Sequence, residues 1–447
     1  MNNTENTYPG EVLSKALNRK GLVDENDTAI LFHDLDFMQH RIEILKKVFP
    51  ENALHAVAVK AMPLPSVLRK LAMMGTGLEV ASFPELLLAM NSGAEPGKIV
   101  FDSPVKTVQE IAFAIKNGIH LNADSLFELE RIAEISKNIP VRGVCGLRIN
   151  PQAGTGKIEI LSVAGDYSKF GIPVKIYRDE IIRAYLQHEW LTGIHVHVGS
   201  QGCELPLLLK GIKTVYDLAV EINHQLVRHE RPNRIRFFDI GGGLPIAYHP
   251  EDNPPAMEEY ARKLKDHMPG LFDGTFRLIT EFGRWTHANA GFAVSRIEYV
   301  KPHFVETSKN NPTDYISDPN ILPEATLMLH VGADLLIREC YLPHQWSHEI
   351  SLAGNFGKIK TGDAACKYTL AGPLCFQGDV ISRNVRLPHA EVGDFIIIHD
   401  TGAYTLSMWS RYNSRQMPKV IGFRDNGEHF EILKEREKPE DLVEFWR

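Results

Sequence analysis

The pattern of apolar and polar positions changes rhythm along the chain. From residue 54 to residue 281, short apolar runs alternate with segments in which apolar residues recur every three or four positions. The runs Leu54–Lys60, Leu78–Ser82, Ile99–Asp102, Ile119–Ala123, Val141–Asn150, Leu191–Val198, Ile235–Ile240 and Arg277–Glu281 predict buried strands. Between them, Ser66–Met74, Phe83–Asn91, Val108–Lys116, Leu126–Lys137, Lys175–His188, Leu205–His229 and Met257–Met268 predict helices. Eight strands alternating with helices over about 240 residues is the rhythm of a (β/α)8 barrel. An open doubly wound sheet competes with it, but would carry a Gly-rich fingerprint after its first strand, and none is there.

After Arg284 the helical pattern gives way to short strand-like segments. They are Phe292–Val300, Ala325–Val331, Glu349–Ala353, Lys367–Cys375, Asp394–His399, Val420–Arg424 and Phe430–Leu433. Turn clusters such as Lys309-Asn310-Asn311-Pro312 and Arg424-Asp425-Asn426-Gly427 separate them, which predicts a β domain, either barrel or sandwich. Ahead of the first barrel strand lie a predicted helix at Glu11–Arg19, an apolar piece at Ala29–Phe32 and an amphipathic helix around Met38–Val48. The expected division is an N-terminal segment over 1–40, part of it joining the β domain, a barrel over 41–290 and the β domain over 291–447.

Composition narrows the classes. A chain of 447 residues exceeds one ordinary core. A net charge of −7 and the lack of a long Lys/Arg run argue against a nucleic-acid partner. The five cysteines (Cys145, Cys203, Cys340, Cys366, Cys375) have no paired spacing, so neither a metal site nor a disulfide framework is expected. No apolar run reaches membrane-spanning length, and the first residues lack the pattern of a signal peptide, so a cytoplasmic protein is expected.

Barrel enzymes carry their chemistry just past the carboxyl ends of the strands. The first predicted strand ends at Lys60, the second runs into Glu79 and Ser82, and the fifth ends near Arg148. The sixth reads His195-Val196-His197-Val198-Gly199-Ser200, the seventh Asp239-Ile240-Gly241-Gly242-Gly243 and the eighth Glu281-Phe282-Gly283-Arg284. A strand-end lysine is ordinarily just solvated, and a lone histidine there is ordinarily a satisfied core residue. Their convergence with a triple glycine and an acid–base pair points to chemistry. Glycines bare backbone N–H groups to an anion such as phosphate, Ser200 and Arg284 suit the same phosphate, and His197 suits stacking on a flat ring. Glu281 suits a protonated ring nitrogen, because burying it unpaired is costly. Phosphate, flat ring, cationic nitrogen and an aldehyde-seeking lysine together describe pyridoxal 5′-phosphate.

The chain resembles the fold-type III pyridoxal-phosphate decarboxylases, the family of diaminopimelate, ornithine and biosynthetic arginine decarboxylases. The likeness rests on Ala58-Val59-Lys60-Ala61, Glu79-Val80-Ala81-Ser82, Ser168-Lys169-Phe170-Gly171 and the three strand-end motifs above. It continues through Gly372-Pro373-Leu374-Cys375-Phe376-Gln377-Gly378-Asp379 and Gly402-Ala403-Tyr404, followed by Asn413, so it spans roughly residues 30 to 425. The resemblance implies that Lys60 holds the cofactor through its amine and that His197 stacks on the ring. It implies that Gly241, Gly242, Gly243, Ser200, Arg284 and Tyr404 hold the phosphate, with Gly283 in the same motif, and that Glu281 pairs with the ring nitrogen. It further implies a homodimer with shared active sites, in which Cys375 is the general acid.

This sequence departs from the family at three places. Phe282 replaces a proline and Met62 an asparagine. The residue after the cysteine, an acid in relatives that receives the substrate's distal amine, is Phe376. Losing a charge-assisted hydrogen bond costs about 1.5–3 kcal/mol. The expected substrate is therefore an amino acid or amino-acid conjugate without a free distal amine. Arg338, in Asp334-Leu335-Leu336-Ile337-Arg338-Glu339-Cys340-Tyr341, resembles the arginine that binds a distal carboxylate, against the plain alternative of an ordinary ion pair. Phe376 and Tyr341 complete the expected substrate contacts, together with Asp379, for which a strand cap is the alternative. Diaminopimelate decarboxylation proper, alanine-racemase-like isomerisation and a non-catalytic cofactor-binding role are the competing readings.

Overall fold

The structure is a computed structural model, and it describes residues 8–158, 162–303, 324–362 and 366–447. The predicted turn at Lys309–Pro312 lies outside these residues. The chain forms two compact units, one of residues 39–247 and 251–287, the other of residues 1–38, 248–250 and 288–447.

The first unit is a closed parallel barrel. Its strands are Leu54–Ala58, Gly77–Val80, Ile99–Phe101, His120–Ala123, Cys145–Asn150, Leu191–His195, Phe237–Asp239 and Arg277–Thr280. Each pairs with the next in sequence, and the last returns to the first through Ile279 opposite Leu54. A two-residue strand, Ile172–Pro173, adds to the edge of the fifth. The barrel strands are buried almost throughout, as expected for a parallel sheet covered by helices. Local signals set the helix starts. Ser82 and Ser125 accept backbone N–H bonds as N-caps, and Thr107 and Glu110 form a reciprocal capping box. Among the described residues no helix is long and apolar enough to cross a membrane.

Several strands are shorter than the apolar runs suggest. The first ends at Ala58, so Lys60 sits in a 3₁₀ turn, Val59–Ala61, rather than on the strand. The sixth ends at His195 and leaves His197 in the following loop. Val196 and Val198 remain buried there, which is why the apolar pattern overruns the ladder. Phe282 is also buried, stacked on Phe49 at 6.1 Å and edge-on to Tyr260 at 5.9 Å, so the aromatic ring in the eighth motif fills core space.

The second unit is a mixed sheet of nine strands. Its order is Val380–Leu387, Cys366–Ala371, Glu324–Leu329, Gly291–Pro302, Ala29–Asp34, Lys419–Arg424 and His429–Lys434. Phe395–Ile398 also pairs with Gly291–Pro302, and Ile350–Ala353 pairs with Phe395–Ile398, so the sheet branches. The N-terminal strand lies antiparallel to Gly291–Ser295 and parallel to Lys419–Phe423. Phe32 stacks on Phe292 with ring centroids 4.8 Å apart. The helix Tyr8–Asn18 adds Val12, Leu13 and Ala16 to the same core. Three elements go beyond the sequence reading: the strand Val380–Leu387, whose Arg383 and Asn384 are exposed, a short helix, Ile337–Tyr341, and a C-terminal helix, Pro439–Phe445. The run predicted as Lys367–Cys375 ends as a strand at Ala371, because Gly372-Pro373 leaves the ladder and carries Cys375 into a turn.

Candidate active site

The loops past the barrel strands assemble a buried ionisable cluster. The register of the first two strands, Ala58 opposite Glu79, brings Lys60 over Glu79, and the two form an ion pair. Glu79 is 1% exposed in its side chain, whereas Lys60 is 39% exposed and so reaches outward. The sequence reading included Glu79 in a motif without giving it a role. Its signal was the register, which places a buried carboxylate under the lysine.

Glu281 lies at the centre. Its Oε2 is 3.4 Å from His197 Nδ1 and its Oε1 is 3.5 Å from His195 Nε2. The other ring nitrogen of His195 is 3.5 Å from Asp102 Oδ2, and Asp102 accepts a 2.7 Å bond from Asn122. Burial raises the pKa of Glu281 well above the carboxylate range, and Asp239 and Asp102 push it further. Burial also keeps His197 and His195 neutral, the latter lowered to about 3. Sequence reading selected His197 alone. His195 lies two residues earlier, at the end of the strand whose apolar alternation runs on to His197, and that period was the available signal.

The triple glycine does two jobs. Gly241 and Gly243 adopt positive φ, +66° and +93°. A Cβ on Gly241 would come within 2.5 Å of His197 Nδ1, and one on Gly243 would overlap the Gly199 carbonyl. The N–H of Gly241 donates to Asp239 Oδ1 at 2.8 Å, and that of Gly242 to His197 Nδ1 at 3.2 Å. Two of the N–H groups expected to face an anion thus hold Asp239 and His197. Beside them Arg284 donates to Ser200 Oγ from both Nε and Nη2 at 3.2 Å, which gathers a cation and a hydroxyl at one place. Gly283 packs so close to the first strand that a Cβ would lie 2.8 Å from that of Ala58. A partly exposed lysine on the Glu79 carboxylate, glycines whose close contacts exclude a side chain, an Arg–Ser pair and a buried acid flanked by two neutral imidazoles fit pyridoxal phosphate.

In the sheet unit, Cys375 is exposed on the turn after Ala371, and its N–H donates to Asn413 Oδ1 at 2.8 Å. Asn413 itself has a φ of +55°. Phe376 is half-buried, stacked on exposed Tyr341 at 5.7 Å and edge-on to Tyr412 at 6.1 Å. Both carboxylate oxygens of Asp379 take backbone N–H groups, those of Ala333 and Leu374 at 2.6 Å. Asp379 thereby ties the cysteine turn to the loop at Ala333. The guanidinium of Arg338 lies 4.9 Å from the Trp346 ring and 5.1 Å from that of Tyr404. Tyr404 has a φ of +58°, uncommon for an aromatic residue and a mark of local constraint.

A closed (β/α)8 barrel with these strand-end groups defines a pyridoxal-phosphate enzyme. The family profile described as "Pyridoxal-dependent decarboxylase, pyridoxal binding domain" matches residues 35–288. The chain belongs to that family: it is a pyridoxal-phosphate-dependent amino-acid decarboxylase, a carboxy-lyase. It is 29% identical to a diaminopimelate decarboxylase of Archaeoglobus fulgidus, covering 95% of this chain and 94% of that protein. It is 26% identical to one of Aquifex aeolicus, covering 97% and 95%. Helicobacter pylori diaminopimelate decarboxylase, crystallised with L-lysine, matches with a TM-score of 0.78 and 26% identity, over 94% of this chain and 96% of that one. Likeness to decarboxylases along nearly the whole chain favours that activity over the racemase and non-catalytic readings.

Proposed function

We propose that this decarboxylase acts on an amino acid, or an amino-acid conjugate, whose side chain carries no free distal amine. The observation that carries the reading is Phe376. Where the family resemblance expects an acid after the cysteine, this chain has an aromatic ring packed between Tyr341 and Tyr412. That wall offers a distal ammonium no carboxylate from this position. Arg338, held between two rings, supplies a cation suited to a distal carboxylate or other acceptor.

When bound, pyridoxal phosphate supplies the electron sink that lets the bond to the substrate carboxylate break. The residues of the chain divide the remaining work. Lys60 would hold the cofactor through its amine. His197 would stack on the ring, and Glu281 would pair with the ring nitrogen. Ser200, Gly243 and Arg284 would hold the phosphate, to which the family resemblance adds Tyr404. Cys375 would supply the proton that replaces CO2, in the shared site of a homodimer that the resemblance implies.

The test is a screen of amino acids and conjugates for CO2 release. Diaminopimelate, lysine and ornithine should be turned over very poorly. Wild-type kcat/KM of about 10⁴ M⁻¹s⁻¹ or more on any of them would refute the reading. Diaminopimelate decarboxylation is the second reading, supported by curated relatives of that name that align along nearly the whole chain. The same screen decides between the two.

A further inference from the structure

We propose that Glu281 meets the cofactor as a neutral acid, its proton held in a chain with His195 and Asp102, so that His195 is a positioning residue for the reaction. The hydrogen-bond polarity of the site leads to this. The Gly242 N–H donates to His197 Nδ1 at 3.2 Å, which makes that nitrogen an acceptor. Glu281 Oε2 faces the same nitrogen at 3.4 Å. On the other side, Asp102 is held by Asn122 and presents Oδ2 to His195 Nδ1 at 3.5 Å. A proton on Nδ1 satisfies Asp102 and leaves Nε2 as an acceptor, 3.5 Å from Glu281 Oε1. Both oxygens of Glu281 then face imidazole lone pairs. An ionised Glu281 would be repelled from both sides, whereas a protonated one has acceptors in His195 Nε2 and in the Asp102 carboxylate, to which it also hydrogen-bonds.

The rival arrangement puts the proton on His195, as an imidazolium between two carboxylates. Charge-assisted N–H···O bonds close to about 2.7–2.9 Å, and neither side of this ring does. His195 is 1% exposed in its side chain, with no hydrogen bond from either nitrogen within ordinary limits. Of the charged groups around it, Asp102 favours a positive ring, whereas Arg148 and Lys60 oppose one. Around Glu281 stand Asp239, Asp102 and Glu79, all of which oppose a second negative charge. A proton stored on Glu281 can pass to a basic ring nitrogen, leaving a carboxylate paired with the cation it has created. The proton balance closes without one drawn from solvent into a buried site.

The test locates the proton in cofactor-free protein. With [¹⁵N]histidine, and His195→Gln to identify the signals, His195 should show the two well-separated nitrogen shifts of a neutral ring between pH 6 and 8. Its proton should be on Nδ1, and Asp102→Asn should move it. Infrared spectra should show a protonated carboxyl band over the same range, displaced by [¹³C]glutamate labelling and removed by Glu281→Gln. The isotope arm needs no variant to fold. An imidazolium spectrum for His195 at pH 7, or no glutamic-acid band, would overturn the proposal.

Discussion

The barrel rim and the cysteine turn hold their functional groups in opposite ways. On the rim, Glu79, Asp102, His195, Asp239 and Glu281 are buried, and each is fixed by backbone or by another ionisable group. On the turn, Cys375 is exposed and Phe376 is half-buried against the exposed Tyr341. Order there comes from underneath, through Asn413 on the Cys375 N–H and Asp379 on two further N–H groups. The difference separates two kinds of information. Chemistry shared with a whole family is written where a change would leave a charge buried and unpaired. Substrate choice is written where a ring can replace an acid without disturbing a core.

The largest effect should follow from Lys60→Ala. Removing the amine that holds the cofactor should lower kcat/KM by about 10³-fold or more. Borohydride reduction and peptide mapping of the wild type should place the cofactor on Lys60, and a label on another lysine would break the assignment. Next comes Gly243→Ala. Its φ of +93° and the overlap with the Gly199 carbonyl leave no room for a methyl, so cofactor affinity should fall at least tenfold, read by absorbance titration. Asn413→Ala should do less and act differently. Losing one hydrogen bond of about 1 kcal/mol under the turn should reduce kcat several-fold, with cofactor affinity unchanged. Equal loss of cofactor in the two variants would erase the distinction between rim and turn.

Legibility in the sequence follows the same division. The barrel could be read because its strands are short apolar runs, and the cofactor residues because they cluster at strand ends. Glu79 needed the pairing of Ala58 with Glu79, which no local pattern states. His195 could be quoted but not interpreted, since its meaning lies in Asp102 and Glu281, both distant in sequence. Val380–Leu387 escaped because it faces solvent along much of its length and lacks an apolar run. The bonds of Asp379 to the Ala333 and Leu374 N–H groups had no sequence signal, since Ala333 is 46 residues away.

The smallest effect tests the comparison through stability. Glu281, Asp239 and Glu79 in the barrel all have pKa values raised by burial. An acid whose pKa is higher in the folded state binds protons more tightly there than in the unfolded chain. Its contribution is complete below the unfolded value, near 4.5 for glutamate, and is lost as pH rises through the folded value. Buried histidines work in the opposite sense. His55 and His120 are lowered to about 4, so they cost stability only as pH falls below about 6.5. Between pH 6.5 and 8 the histidines are silent and the barrel carboxyls act alone. In the β unit Asp400, raised to about 6, is already ionised through most of that window. Cofactor-free protein should therefore lose stability with rising pH, each proton adding a slope of up to about 1.4 kcal/mol per pH unit. Denaturant titrations at pH 6.5, 7.25 and 8 should show this decline in the wild type and a shallower one in Glu281→Gln, whose amide cannot ionise. Equal slopes would mean that Glu281 is already ionised at pH 6.5, and the buried rim would then lack the charge frustration that distinguishes it from the turn.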